Sequence, residues 1–405
     1  MKLSRRELAR LASASAVSAG IASVVPGGLA GAQTPEATPV DGGVNAALLS
    51  MLRFIPLSLV EENYTGGSEL ATFGDIALRL ESVGVEIPAS AAGEALGDAF
   101  RATMPIPVSD LIQATARADD SRALFGWTFA DGRRLLFSMT SEHGLIHVMQ
   151  GDFDPAALEA AWAANGYQML DVDGQPVASL SAEPEIDLSS ELGGLVLSHV
   201  NNAALLDDGT LLYSPSLDGL TLMLQAGSGS VPSLGTYDLV TTVVGTMTSP
   251  LCGASLLPGP ALVMLGDPLM ILGPSADIED IELEDLPEPG PLPLMGLVGF
   301  VSGPAVPDRS LLEDESEPVP SGSMMVASRL YTSPEDALVA AKRSLLTLET
   351  GVSFVTMEPF AERFPGWRVD HHEGSETVLL EVDLYANEGI WLQMIYQRDA
   401  LFLYS

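Results

Sequence analysis

The stretch from Leu145 to Leu170 constrains the fold of this chain most, because it predicts a complete strand–helix–strand unit. Apolar residues indicate an extended run from Leu145 to Phe153. Asp154 suits a helix N-cap, Pro155 suits the first helical position, and Gly166 suits the left-handed residue that follows a helix. The chain then returns to a strand. This unit predicts an α+β fold and indicates no particular activity.

Turn signals and apolar periodicity extend this prediction along the chain. Hairpins are expected to turn at Asp131-Gly132, Asp173-Gly174, Asp208-Gly209 and Asp218-Gly219. Helices are expected at Asn45–Arg53, Ser68–Leu80 (capped by Ser68), Ala89–Phe100, Asp110–Arg117 (capped by Ser109) and 235–248. In the second half we expect a strand at Met324–Tyr331, a helix from the cap Ser333 to Leu348, and strands at Val369–His371, Val378–Leu384 and Ala400–Tyr404.

The two halves share the order strand, capped helix, hairpin, which suggests a duplicated module. We expect mostly antiparallel sheets with packed helices, preceded by a helical N-terminal segment, and two α+β domains at residues 45–250 and 251–405. Asp277–Pro293 and Pro304–Pro320 are rich in acids and prolines, so each is either a connection between domains or a long surface loop.

The first 32 residues have the pattern of an export signal. A basic start precedes a run of small and apolar residues, and Ala30-Gly31-Ala32 fits a cleavage site. Ser4-Arg5-Arg6-Glu7-Leu8 resembles the twin-arginine export signal, from which Ala9 and Arg10 depart. We expect a signal peptide at 1–32, a flexible linker at 33–44, and a periplasmic, cell-surface or secreted protein. An ordinary secretory signal and a retained membrane anchor stay open as alternatives.

The charge balance bears on partners. The chain has 18 Lys and Arg against 54 Asp and Glu, a net charge of −36. Charged residues are only 18% of the chain, below the usual quarter or so, so a shortage of bases makes this charge. A field of this sign repels phosphate backbones and anionic lipid, so we expect no nucleic-acid partner. Cys252 is the single cysteine, which excludes an intrachain disulfide, and its apolar neighbours favour a buried, inert thiol.

Catalytic motifs are missing from the sequence. It contains no G-x-S-x-G elbow, no P-loop, and no Ser three residues before Lys342, the single lysine after the signal. The five histidines are His143, His147, His199, His371 and His372. Adjacent His371 and His372 should point to opposite faces of a strand, and His143 and His147 should lie ~13 Å apart. We therefore expect no transition-metal site and no cofactor.

Acidic and aromatic residues leave weaker alternatives. Asp171-Val172-Asp173-Gly174 begins like a calcium loop, but Ala182 stands where the closing Glu belongs, so a hairpin explains it better. The six acids of Asp277–Asp285 could gather a cation or form a solvated segment. A pair of catalytic carboxylates would be assembled spatially, and no pair stands out. The tryptophans, expected in the core, are Trp127, Trp162, Trp367 and Trp391.

These patterns favour a non-catalytic exported protein that binds a ligand or a partner through its sheets or acidic loops. After the signal no apolar run reaches 18 residues, so we expect no transmembrane segment in the mature chain. One alternative is an exported hydrolase with spatially assembled carboxylates. Another is a cofactor-binding protein that is exported in the folded state. The sequence assigns no catalytic or cofactor-binding residue.

Overall fold

The computed structural model describes residues 43–86, 94–117, 121–264, 290–303, 322–353, 355–384, 388–397 and 399–404. Its strands are β1 (Ala71–Asp75), β2 (Gly132–Thr140), β3 (Gly144–Gly151), β4 (Gln168–Val172), β5 (Gln175–Ser179), β6 (Asn202–Leu205), β7 (Thr210–Ser214), β8 (Gly253–Pro258), β9 (Met295–Val301), β10 (Met324–Leu330), β11 (Trp367–Asp370) and β12 (Thr377–Asp383). Its helices in the first part of the chain are α1 (Ala46–Leu52), α2 (Leu57–Gly66), α3 (Ile76–Ser82), α4 (Glu94–Ala102), α5 (Asp110–Arg117), α6 (Ser121–Phe125), α7 (Pro155–Ala164) and α8 (Glu191–Val196). Those that follow are α9 (Leu217–Gly227), α10 (Asp238–Thr246), α11 (Gly259–Met264), α12 (Pro334–Thr350), α13 (Phe360–Arg363), α14 (Ile390–Tyr396) and α15 (Leu401–Tyr404).

These strands form one 12-stranded antiparallel sheet, in the order β11-β12-β10-β9-β8-β1-β2-β3-β7-β6-β5-β4. With helices packed on it, this sheet confirms the α+β class and the antiparallel pairing. β1 pairs with both β2 and β8, so strands from either side of residue 250 lie side by side. The domain boundary proposed at that residue stays a prediction.

Helices cover both faces of the sheet, which separates two large apolar cores, and a third, smaller cluster packs α12 against Tyr331 and Val378. Along β3, Ile146 and Val148 belong to one core and Met149 belongs to the other, as the alternation of side chains in a strand requires. α1, α2, α9 and α10 pack on the Ile146 face. α3 to α8 and α11 to α15 contribute to the core on the Met149 face.

The predicted unit between Leu145 and Leu170 is confirmed as β3, α7 and β4. The Asp154 carboxylate accepts a hydrogen bond from the Ala156 N–H at 3.0 Å, and Pro155 is the first helical residue. Gly166 follows the helix with φ +84°, which favours glycine. Trp162 is buried against the sheet. Local capping and one apolar face are therefore sufficient to set this element.

Two other predicted features have the same basis. Ser333 caps α12 by accepting from the Asp336 N–H at 3.1 Å, and the helix runs to Thr350. The hairpins at Asp173-Gly174 and Asp208-Gly209 join β4 to β5 and β6 to β7. These predictions are confirmed at Ser333, at Asp173-Gly174 and at Asp208-Gly209.

The predicted helix at Ser68–Leu80 is wrong over its first half. Residues 71–75 form β1, which is buried between β2 and β8, and the helix begins only at Ile76. Asp75 provides the cap by accepting from the Leu78 N–H at 2.9 Å. Pairing with two neighbouring strands overrides the local helical period here.

Three turn or strand predictions are also wrong. Asp131 accepts from the Thr128 N–H at 2.7 Å in a turn after α6, so Asp131-Gly132 connects a helix to β2 instead of connecting two strands. Asp218-Gly219 lies inside α9, because the Ser216 hydroxyl caps that helix by accepting from the Gly219 N–H. Residues 401–404 form α15 instead of a strand.

The cap expected from Ser109 is not formed by its side chain. Its hydroxyl is buried and has no hydrogen-bond partner among the described residues, although α5 begins at Asp110 as predicted. The signal peptide, nearly all of the linker, Pro304–Pro320 and all but the last residues of Asp277–Pro293 lie outside the described residues. Within the described part, no helix is both long enough and apolar enough to cross a membrane.

Candidate functional site

Strand β4 forms one end of the sheet and pairs only with β5 among the described strands. Its first four side chains are exposed, including Met169 at 54% and Leu170 at 37%. Successive side chains of a strand point to opposite faces, so the sheet is uncovered on both faces at this end. An edge strand that carries exposed apolar groups is a recognised template for pairing with another chain.

The β4–β5 hairpin determines which backbone groups face outward. Its loop is Asp173-Gly174, both with positive φ, as in a type I′ turn. The closing pair Val172 and Gln175 of such a hairpin exchanges both backbone hydrogen bonds, and hydrogen-bonded and non-hydrogen-bonded pairs then alternate. The register therefore directs the N–H and C=O of Met169 and Asp171 away from β5. Pro176 lies opposite Asp171 and has no N–H. A proline fits a pair that exchanges no backbone hydrogen bonds, which agrees with Asp171 facing outward.

Strand β11, at the other end of the sheet, is protected by charge. Arg368 is exposed and forms ion pairs with Asp370 on its own strand and with Glu381 on β12. Trp367 on the same strand is half-buried and packs against the core. Charged side chains are a common device for blocking an open edge, and β4 has only one, Asp171.

The half of the sheet that ends in β4 is also strongly acidic. From residue 135 to residue 264 the chain has fourteen Asp and Glu and no Lys or Arg. The segment between β5 and β6 adds exposed apolar side chains, which are Leu180, Ile186, Leu188, Leu195 and Leu197. Apolar exposure and negative charge thus occur together in this part of the protein. We call β4 and its two uncovered faces the β4 edge.

A polar cleft lies near the opposite end of the sheet. It has a volume of about 380 Å3 and is lined by Thr246, Thr248, Arg368, Asp370, His372, Thr377, Leu379 and Glu381. The Arg368 guanidinium is already paired with both carboxylates. The cleft offers hydroxyl and imidazole groups to a small polar ligand, and its net charge does not favour an anion.

The five histidines do not gather at a single site. His371 and His372 lie just beyond the end of β11, not on a strand as expected, and the His371 ring nitrogen Nε2 is 2.9 Å from the Ser375 carbonyl oxygen. His143 is at the turn after β2, and its Nδ1 is 2.6 Å from the Ser216 Oγ. No group of three or more His, Cys, Asp or Glu in the described ranges could share a metal ion.

The contact of Ser216 with His143 brings a serine and a histidine together that sequence motifs had not linked. Ser216 is buried, and its Oγ is also the acceptor for the Gly219 N–H that begins α9. A nucleophilic serine needs an exposed Oγ next to a base, whereas this Oγ is occupied by the helix cap. The contact is best explained as a structural connection between the β2–β3 turn and α9.

His147 and His199 lie side by side. Their ring centroids are 5.7 Å apart, and His147 is fully buried beside Phe137. Neither ring nitrogen of His147 has a hydrogen-bond partner among the described residues. Burial, and secondarily the nearby His199, lower the pKa of His147 to about 3. The His147 ring is therefore neutral at physiological pH.

Two further groups bear on catalysis. Burial raises the pKa of the Cys252 thiol to about 12, so the thiol stays protonated, and its predicted burial is confirmed. Burial also raises the pKa of Glu69, while hydrogen bonds from Ser255 and Thr72 act in the opposite direction. No second carboxylate among the described groups contributes to that pKa shift. Glu69 therefore does not belong to a pair of carboxyl groups with pKa values shifted apart, as a glycosidase requires.

The tryptophans lie where the sequence predicted. Trp127, Trp162 and Trp391 are buried in the core and Trp367 is half-buried against it, so none forms an open stacking platform. The β4–β5 hairpin was predicted, but its position at the end of the sheet was not, because strand order depends on pairing between distant segments. No protein-family model, curated protein or solved structure matches this chain.

Proposed function

We propose that this chain is an exported, non-catalytic protein that binds a partner at the β4 edge. The observation that carries the proposal is the combination of outward backbone groups with exposed Met169 and Leu170 on an edge strand that has little charge protection. The sequence led us to expect binding through a sheet, and we propose the β4 edge as the surface that binds.

The catalytic and cofactor alternatives receive less support. The Cys252 thiol has a pKa of about 12, and the Ser216 hydroxyl is held by a helix cap. The half-buried Glu69 has two hydroxyl partners instead of a second carboxylate. These groups stabilise the fold around them more readily than they would activate a substrate.

A second candidate function is the binding of a small polar ligand in the cleft of about 380 Å3 near β11 and β12. The cleft supports it because three threonine hydroxyls, one imidazole and an ion-paired arginine line a single concave surface. This function is compatible with partner binding at the other end of the sheet.

The order of the elements supports a duplicated module. Apart from the intervening helices α3 to α6, α11 and α13, the first half runs β1, β2, β3, α7, β4, β5, and the second half runs β8, β9, β10, α12, β11, β12. β1 and β8 pair at the middle of the sheet, and the β6–β7 hairpin is an addition between β5 and β3. We infer that the first module carries the edge that binds and that the second module ends in the cleft. A helical segment before the first module, as the sequence predicts, is part of the same proposal.

Export through the twin-arginine route has a direct test. If Arg5 and Arg6 are both replaced by Lys, we expect full-length precursor to accumulate in the cytoplasm, because that route depends on the paired arginines. The measurement is an immunoblot of fractionated cells, with Arg10→Lys as the matched control. Normal export of the double variant would contradict the assignment.

Partner binding at the β4 edge can be tested by site-specific cross-linking. A photo-cross-linking amino acid at position 169 should give a cross-linked product of one defined mass in the native host, since Met169 is more than half exposed on the edge. The matched control position is Leu345, which is 40% exposed on α12, far along the chain from the edge.

The proposal requires the product at position 169 and its absence at position 345. Equal products from the two positions would indicate non-specific contact with neighbours. No product at positions 169 or 170, which lie on opposite faces of β4, would contradict the proposal.

A further inference from the structure

We propose that the partner binds the β4 edge as an added β-strand and that this strand alternates basic and apolar residues. The inference rests on the proposed function and names the class of partner. Three independent features of the edge carry it: the outward backbone groups, the apolar side chains on both faces, and the sign of the surrounding charge.

The backbone favours an extended partner. The N–H and C=O groups of Met169 and Asp171 point outward by the register, and their N–H groups make no other backbone hydrogen bond to the described residues. The pairing of β4 with β5 is regular over all five residues of β4, without a bulge. A regular, unprotected strand of this length presents an intact ladder for a further strand.

The side chains favour apolar groups on the partner. An added strand would place alternate residues beside Met169 on one face and beside Leu170 and Val172 on the other. Val172 is half-buried and already packs against the core of the Ile146 face, so a neighbouring apolar group would extend that core. Burial of Met169 and Leu170 would remove exposed apolar surface from water.

The charge favours a basic partner. Asp171 and Asp173 lie on the hairpin itself, and Glu183, Glu185 and Asp187 follow β5. No Lys or Arg occurs between Arg134 and residue 309 to neutralise them. An acidic strand would be repelled by this field, whereas Lys or Arg would be attracted and steered toward the edge. A second copy of this chain, which carries the same charge, is disfavoured for the same reason.

The test uses the full-length mature protein and three labelled ten-residue peptides with blocked ends. One peptide repeats Lys-Val, one repeats Glu-Val, and one repeats Lys-Gly. By fluorescence anisotropy we expect the Lys-Val peptide to bind at least about tenfold more tightly than either other peptide. Its binding should weaken with added salt, because the attraction between exposed charges is screened.

Two variants of one residue separate strand addition from simple charge attraction. Met169→Pro removes an outward N–H but leaves the hydrogen bonds to β5, since Met169 belongs to a non-hydrogen-bonded pair. Met169→Ala keeps that N–H and shortens the side chain. We expect the proline variant to lose about tenfold or more in affinity for the Lys-Val peptide and the alanine variant to lose less than about fivefold.

Hydrogen exchange on the unmodified protein gives the same answer without a variant. Saturating Lys-Val peptide should slow exchange of the Met169 and Asp171 amides and leave the Gln168 and Leu170 amides unchanged, because only the former face outward. Equal binding of Lys-Val and Lys-Gly, equal affinity of the proline and alanine variants, or unchanged exchange at Met169 and Asp171 would each overturn the inference. If cross-linking at position 169 still succeeds, only the class of partner is wrong; if cross-linking also fails, so does the proposed function.

Discussion

Replacement of Arg363 with Met is expected to lower the free energy of unfolding by about 3–5 kcal/mol. Arg363 Nη1 donates to the Asp399 carboxylate at 2.9 Å, and the two side chains are only 8% and 1% exposed. Ser353 Oγ donates to the same carboxylate at 2.6 Å. Without the guanidinium, the buried negative charge of Asp399 keeps its cost of desolvation and loses its compensating ion. The measurement is equilibrium unfolding in urea at neutral pH.

The matched control is an exposed ion pair. Arg133 pairs with Asp152, but the two side chains are 50% and 71% exposed, so Arg133→Met should cost no more than about 1 kcal/mol. The double variant Arg363→Met/Asp399→Leu removes both buried charges and should regain much of the loss, since no buried charge is then left without its counter-ion. A loss at Arg363 as small as that at Arg133 would show that Asp399 is compensated by other groups.

His147 is expected to make the protein acid-labile. Its pKa in the folded state is about 3, because burial and the nearby His199 disfavour the charged ring, against about 6.5 in an unfolded chain. Between these values the unfolded state binds more protons than the folded state, so stability falls as pH decreases below about 6.5. One pKa unit corresponds to about 1.4 kcal/mol, so at pH 4 the neutral His147 lowers the free energy of unfolding by about 3 kcal/mol. Above about pH 6.5 this loss of stability is absent, because the ring is neutral in both states.

His147→Leu should remove that acid sensitivity and also stabilise the protein at neutral pH. The ring has two buried nitrogens without partners among the described residues, and an apolar side chain of similar volume avoids a desolvation cost of about 1–3 kcal/mol. Urea unfolding at pH 7 and pH 4 measures both effects as the difference between variant and wild type. A difference that does not grow by at least about 2 kcal/mol on acidification would show that His147 becomes protonated inside the folded protein. His147→Phe serves as a second variant if Leu leaves a cavity.

The elements that the sequence predicted correctly are those whose signals lie within a few residues. Asp154 and Pro155 begin α7, Ser333 begins α12, and Asp173-Gly174 turns the β4–β5 hairpin through a cap or a left-handed turn formed locally. The failures have two causes: distant strand pairing overrides a local helical period, or a neighbouring cap outweighs a turn signal. Residues 71–75 have a helical period but form the strand between β2 and β8, and Ser216 converts an apparent Asp-Gly turn into the first turn of α9.

The proposed binding surface also depends partly on local sequence signals and partly on contacts between distant segments. The amino-acid sequence alone determines the charge of −36, the absence of Lys and Arg from residue 135 to residue 264, and the β4–β5 hairpin, because composition and turn chemistry are local properties. The tertiary structure alone decides that β4 ends the sheet, that the N–H of Met169 points away from β5, and that His147 and His199 meet in the core. Strand order, register and burial arise from contacts between segments far apart in the chain, and no local pattern specifies which of many possible partners each segment takes.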